Sequence, residues 1–224
     1  MRKTLQLGGL AAGAILIAFG VAAIVMSVNG RSTVSNSLKQ EQIVGTSDMT
    51  PAGIMAEAQK AGLKNISYPS CSVADKAVTT GATARCFAEY MQIHALEATG
   101  GFVYAQMGQY LAKPGTPKSQ LTPDGATSNT QYAQLDPKTK QPVANGARNV
   151  WVTETALTTA LNSSYMASQL ALFGIVVGIA LLLSGFGFAI LALGGALRRP
   201  ERRSDPVVER SPSKNVPSTP VPTG

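Results

Sequence analysis

His94 and Glu97 are the first residues to weigh as chemistry. The stretch HALE places an imidazole and a carboxylate three positions apart, within one helical turn, which suits two metal ligands or an acid and its base. His94 is the only histidine in the chain. It shares a face with Phe87, Tyr90, Met91, Ala95 and Ala98 at spacings of three and four, whereas Glu97 points off that face. The pattern favours a packed, satisfied histidine over a catalytic one, and no metal or cofactor site is expected. Cys71 and Cys86 are the only cysteines. Two thiols without a neighbouring histidine make a poor zinc site, whereas a disulfide closing a loop of about 15 residues would stabilise a fold by roughly 3 kcal/mol in the chain-entropy model. A pair of free thiols is the bland alternative. The chain holds no Walker loop, dinucleotide fingerprint, GxSxG elbow or paired-cysteine zinc spacing.

The elements that must position these residues follow from two apolar blocks. Residues 7–28 and 170–197 contain no Asp, Glu, Lys, Arg or His. Each exceeds the roughly 20 residues a helix needs to cross a hydrocarbon core. The first is also longer than the core of a secretory signal, and SVNG after it lacks an A-x-A-like cleavage site. It therefore reads as an uncleaved anchor. Arg2 and Lys3 precede the first block, and Arg198, Arg199, Arg202 and Arg203 follow the second. The positive-inside bias then places both termini in the cytoplasm. The net charge of +7 divides mostly between these flanks and tail, leaving residues 29–169 nearly balanced. The basic pI thus reports topology and is no argument for nucleic-acid binding. Both cysteines fall outside, where oxidising conditions permit pairing.

The expected fold is a mainly α membrane protein, two transmembrane helices in a hairpin with a small, mostly helical α+β extracytoplasmic domain between them. Its expected parts are a cytoplasmic N-terminus (1–6), a first span (7–28), an outer domain (29–169), a second span (170–197) and a disordered, proline-rich cytoplasmic tail (198–224). Within the outer domain, the first helix runs on past the bilayer, with Gly30 a weak point. Short strands are expected at 43–46, at NISYPSC from Asn65, and at FVYAQM from Phe102. Thr50-Pro51 caps a helix ended by Gly62, and a second helix covers 84–98 before Gly100-Gly101. Residues 113–148 are rich in Pro, Gly, Gln, Thr, Ser and Asn and read as a mobile loop. Asn149 is the expected cap of a helix that continues into the second span.

Inside the spans, Gly9-xxx-Gly13 and Gly174-xxx-Gly178 have the small-residue spacing that lets helix backbones approach. Packing between the two spans is the simplest use, and homo-oligomerisation stays open. No ionisable group lies within either span, which argues against a proton or ion pathway.

IHALEATGGFVYAQM (93–107) and TALTTALNSSYMASQLALFGIVVGIALLLSGFGF (155–188) resemble a family of small actinobacterial membrane proteins with two spans and an outer domain between them. Members are often labelled aromatic-ring-opening dioxygenases and have no established activity. The shared HxLExTGG pattern and following tyrosine fall here on His94, Leu96, Glu97, Thr99, Gly100, Gly101 and Tyr104. A non-haem iron dioxygenase needs several histidine and carboxylate ligands; with one histidine, the label fails on chemistry. The expected function is therefore that of a non-enzymatic protein of the bacterial cytoplasmic membrane, embedded in the lipid bilayer and acting through contacts of its outer domain with a membrane or envelope protein. A sensor signalling through the cytoplasmic tail is the alternative, and an enzyme around His94 comes third.

Overall fold

A computed structural model describes residues 2–194. The basic cluster from Arg198 and the proline-rich tail, with the disorder expected of it, lie outside the described residues. Among the described residues four α-helices follow in order: α1 (Arg2–Gln40), α2 (Pro51–Lys60), α3 (Gly81–Ala98) and α4 (Gly146–Leu193). Two of them, α1 and α4, are long and apolar enough to cross a membrane, and they pack antiparallel along almost their whole length.

The period of buried positions explains that pairing. On α1, Gly13, Gly20 and Ser27 are buried at seven-residue steps, and half-buried Val34 continues the row. On α4, Ala171, Gly178, Gly185 and Ala192 repeat the same step. A seven-residue repeat keeps one stripe facing one partner and implies left-handed winding. The contacts are reciprocal: a Cβ on Gly13 would meet the Gly185 carbonyl at 2.8 Å, and one on Gly185 would meet the Gly13 carbonyl at 2.8 Å. Gly20 and Gly178 stand in the same relation, again at 2.8 Å. Backbone packs on backbone here, a geometry supported by weak Cα–H···O contacts. Gly174 faces Ser27, whose side chain would collide with any Cβ there. Of the four glycines with four-residue spacing, Gly13, Gly174 and Gly178 lie in the seam. Gly9 lies beside it, in a shallow groove with Leu5, Gly8, Ala12 and Phe188.

Above this stretch, the spacing between helices is filled by large side chains. Leu38 of α1, Phe87, Tyr90 and Ile93 of α3, and Leu161 of α4 form a buried cluster with Met49, Ile54, Val73 and Val78. Helix α1 passes straight through Gly30 to Gln40. The threonine cap is as expected: the Thr50 Oγ1 accepts from the Gly53 amide at 3.0 Å, Pro51 opens α2, and Gly62, at φ 70°, ends it. Helix α3 begins three residues before the expected start, because Thr80 and Thr83 cap it reciprocally. Close packing also requires Gly81, since a Cβ there would meet Ser168 Cβ at 2.7 Å.

The β component is corrected. Among the described residues there is no strand, only isolated bridges such as Val44–Ala77 and Gly45–Ala74. At 43–46 the pairing lasts for a few bonds, Val78 N–H to Ile43 O at 2.9 Å and Asp75 N–H to Gly45 O at 3.0 Å, before the chain turns at Asp75, φ 55°. Around NISYPSC, Asn65 is left-handed, φ 58°, and Pro69 has no N–H to give a ladder. In FVYAQM, the Gln106 side chain accepts from the Val103 amide at 3.0 Å and folds Tyr104–Gln106 into a 3-10 turn.

The start of α4 also differs. Its cap is Asn145, four residues before Asn149, with Oδ1 accepting from the Ala147 amide at 3.2 Å. The residues 113–148, expected to be mobile, carry a dense polar network instead of an apolar core. At its centre Asp124 Oδ1 accepts from Thr122 Oγ1 (2.6 Å), the Ala126 amide (3.2 Å) and the Gly108 amide (3.3 Å), while Oδ2 accepts from Asn145 Nδ2 (2.7 Å). Partial burial acts to raise the Asp124 carboxyl, but these donors outweigh it and hold it below the ordinary carboxylate range. The clasp ties the long connection to the first turn of α4.

Candidate functional site

The side chain of His94 lies at the edge of the apolar face of α3, 26% exposed, rather than within it. Ile93 and Ala95, its neighbours, are buried, and Tyr90 one turn earlier is fully so. The imidazole looks out over three carboxylates drawn from three stretches. Its Nε2 is 3.0 Å from Asp48 Oδ2, in the turn before α2; its Nδ1 is 3.8 Å from Glu57 Oε2 on α2 and 3.7 Å from Glu97 Oε2 on α3. One oxygen each from Asp48 and Glu57 and one nitrogen of His94 lie within 4.8 Å of one another.

Local structure explains why these groups meet. Met49 is buried and Thr50 caps α2, so the preceding turn brings Asp48 against α3. Gly53 permits this, because a Cβ there would strike the Asp48 carbonyl. Ile54 and Ala58 are the buried face of α2, which leaves Glu57 turned toward the cleft. Burial pushes the Asp48 carboxyl up, yet bonds from the Thr46 hydroxyl and backbone and the adjacent His94 together carry it below the usual range. Val44, Thr46, Met49, Phe87 and Met91 complete a cleft of about 400 Å³. Such a set can hold a cation or exchange a proton. The HxxE pair was visible in the sequence; Asp48 and Glu57, 46 and 37 positions upstream, were not, since no local spacing links them to His94.

Most of the remaining motif residues end α3 and do not line this cleft. Thr99 is buried and donates from Oγ1 to the Phe102 carbonyl at 2.8 Å, while Gly100 and Gly101 take φ of 66° and 84°, which glycine adopts without penalty. The Gly101 amide donates to Leu96 O at 2.7 Å, a C-terminal closure of the Schellman kind. Tyr104 sits under the Arg148 guanidinium, 4.0 Å from ring centroid to Cζ, a cation–π contact that joins the chain after α3 to α4.

Cys71 and Cys86 form a disulfide, with Cα atoms 6.1 Å apart. It fastens the irregular segment before α3 to the helix. The Tyr90 hydroxyl, one turn along, donates to the Cys71 carbonyl at 2.6 Å and so reinforces the same junction.

A second concave feature lies on the N-terminal part of α4. Tyr104, Trp151, Val152, Thr155, Ala156 and Thr159 surround a largely apolar groove of about 620 Å³. Val152 is 50% exposed, and the single tryptophan of the chain is placed here and not in the core. No protein-family model, curated protein or solved structure matches this chain.

Proposed function

We propose that the protein is a non-enzymatic component of the cell envelope: α1 and α4 cross the lipid bilayer as a hairpin with both termini in the cytoplasm, and the outer domain works by contact with another membrane protein. The apolar girdle supports the first half of this reading. Only 11% of the most apolar stretch of α1 and 17% of that of α4 is buried, so neither behaves as the core helix of a water-soluble domain. Phe19, Met26, Leu170, Phe173, Leu183 and Ile190 are each at least 64% exposed, and a surface of that kind is stable against acyl chains, not water. The two apolar stretches also end in register, since Ser27 faces Gly174 and Gly13 faces Gly185. A seam of this kind further argues that α1 stays attached, because cleavage after residue 28 would strip α4 of its partner.

The single observation that carries the contact reading is the Trp151 groove. Val152, Thr159, Met166 and Phe173 recur at seven-residue steps on the exposed side of α4, so the groove lies above the lipid-facing stripe. A partner's transmembrane helix running beside α4 would meet the groove on leaving the bilayer. Tryptophan supplies a disproportionate share of binding energy at such surfaces. A photo-crosslinking residue at Val152 or Thr159 in intact cells should capture one discrete adduct, lost with Trp151→Ala, while the same probe at Gln92 on α3 should not. An adduct of twice the chain's own mass would identify the partner as a second copy. Equal labelling from all three positions, or none, would refute the contact role.

A further inference from the structure

We propose that Asp48, Glu57 and His94 form a binding site for a divalent transition-metal cation of the zinc or manganese type, with Glu97 at its rim. The inference is independent of the docking groove. Three carboxylates surround one imidazole, and among the described residues no lysine or arginine forms an ion pair with any of them. That leaves an excess of negative charge which a cation would offset. The second observation is Asp48 Oδ2. The atom is shut off from solvent, and His94 Nε2 lies 3.0 Å from it, so the aspartate and the imidazole already face each other as a ligand pair. A metal ion in the cleft would take this enclosed oxygen and the imidazole nitrogen together with Glu57, whose carboxylate oxygen lies within 4.8 Å of both.

The donor set indicates the class of ion. Carboxylates alone suit magnesium and calcium, whereas an imidazole shifts preference toward zinc, manganese and their neighbours. Ligand atoms within 4.8 Å of one another need only small side-chain rotations to reach the roughly 2.0–2.2 Å bonds of a zinc centre. Glu57 and Glu97, 39% and 38% exposed, are placed to make them. The cleft leaves room for water or a ligand atom in a remaining position. Bound there, the ion would join the turn before α2, α2 itself and α3, two helical turns from where the disulfide fastens α3 at its other end.

The chain makes a clean test possible. His94 is the only histidine and no cysteine is free, so an imidazole-bound metal in the full-length, tag-free protein can sit nowhere else. Titration of the protein in nanodiscs with zinc or manganese chloride should show one equivalent bound and an X-ray absorption spectrum with a single imidazole ligand. The outer domain should melt at higher temperature than in EDTA, and binding should weaken on acidification as protons compete for the ligands. Glu57→Gln and Asp48→Asn should lower affinity by about tenfold or more, with His94→Gln abolishing it. Should His94→Gln fail to fold, Glu57→Gln, at a half-exposed position, decides the matter with the absorption spectrum. No stoichiometric binding, a spectrum without imidazole, or affinity unchanged by Glu57→Gln would overturn the proposal.

Discussion

The apolar part of the hairpin, residues 7–28 against 170–193, and the domain built on its other end are held by opposite means. Below, the two backbones touch through glycine, and Ile17, Ile24 and Leu182 lie over those glycines from the facing helix. Above, Tyr90, Phe87, Leu38 and Leu161 fill the space between helices, a disulfide fastens one edge, and a polar clasp around Asp124 fastens another. The proposed crossing of a bilayer accounts for the difference. In water, burial of a large apolar side chain contributes about 1.5–3 kcal/mol. Against lipid that gain would vanish, leaving the lower contact to close backbone packing. One helix pair thus changes its packing rule along its length, and the seven-residue repeat keeps the same stripe inward through both regimes.

The largest effect should come from breaking the lower seam. In Gly13→Leu/Gly20→Leu, each new side chain meets a carbonyl of α4, at about 1–3 kcal/mol apiece. Spin labels across α1 and α4 should report wider separation near residues 20 and 178, while the outer disulfide still forms. Removal of the disulfide by Cys71→Ser/Cys86→Ser comes next. It should cost roughly 3 kcal/mol in the melting of the outer domain, followed by Trp151 fluorescence, with the label distances in the lower seam unchanged.

The Asp124 clasp should contribute less and should depend on acidity. Its carboxyl is held below the unfolded value of about 3.9, so its stabilisation is fully present above that value and is lost as pH falls through the lower, folded one. Asp124→Asn, which sets a donor against Asn145 Nδ2, should cost about 1–3 kcal/mol at neutral pH and flatten the acid limb of the melting profile. Smallest is Tyr90→Phe, which deletes the bond to the Cys71 carbonyl and should cost about 1 kcal/mol in the same fluorescence melt.

What was legible in the chain was local. Thr50, Pro51 and Gly62 announced α2; the charge-free blocks announced both long helices; and the cysteine pair announced its bond. What escaped depended on distance in sequence. Gly9-Gly13 and Gly174-Gly178 suggest a seam at four-residue spacing, whereas it runs at seven, through Gly13, Gly20, Gly178 and Gly185. That period was present but obscured, since glycine is common in apolar helices for other reasons. The approach of Asp48 and Glu57 to His94 had no local signature, because it depends on how α2 lies against α3. The alternation that suggested strands was genuine at Ile66 and Tyr68, but a ladder needs a partner of matching length, and Asn65, Pro69 and Asp75 break each segment too soon. The polar run 113–148 lacks large apolar groups, and the sequence offers no clue that one aspartate gathers donors from Gly108 to Asn145.

The account rests on the hairpin crossing the bilayer with residues 29–169 displayed outside. A single added cysteine, at exposed Ser128 in the outer domain or at Ser213 in the tail, tests this in intact cells with a membrane-impermeant maleimide. The account predicts that Ser128→Cys is labelled at once and Ser213→Cys only after the membrane is permeabilised. Labelling of Ser213→Cys in intact cells, or protection of Ser128→Cys until permeabilisation, would contradict it.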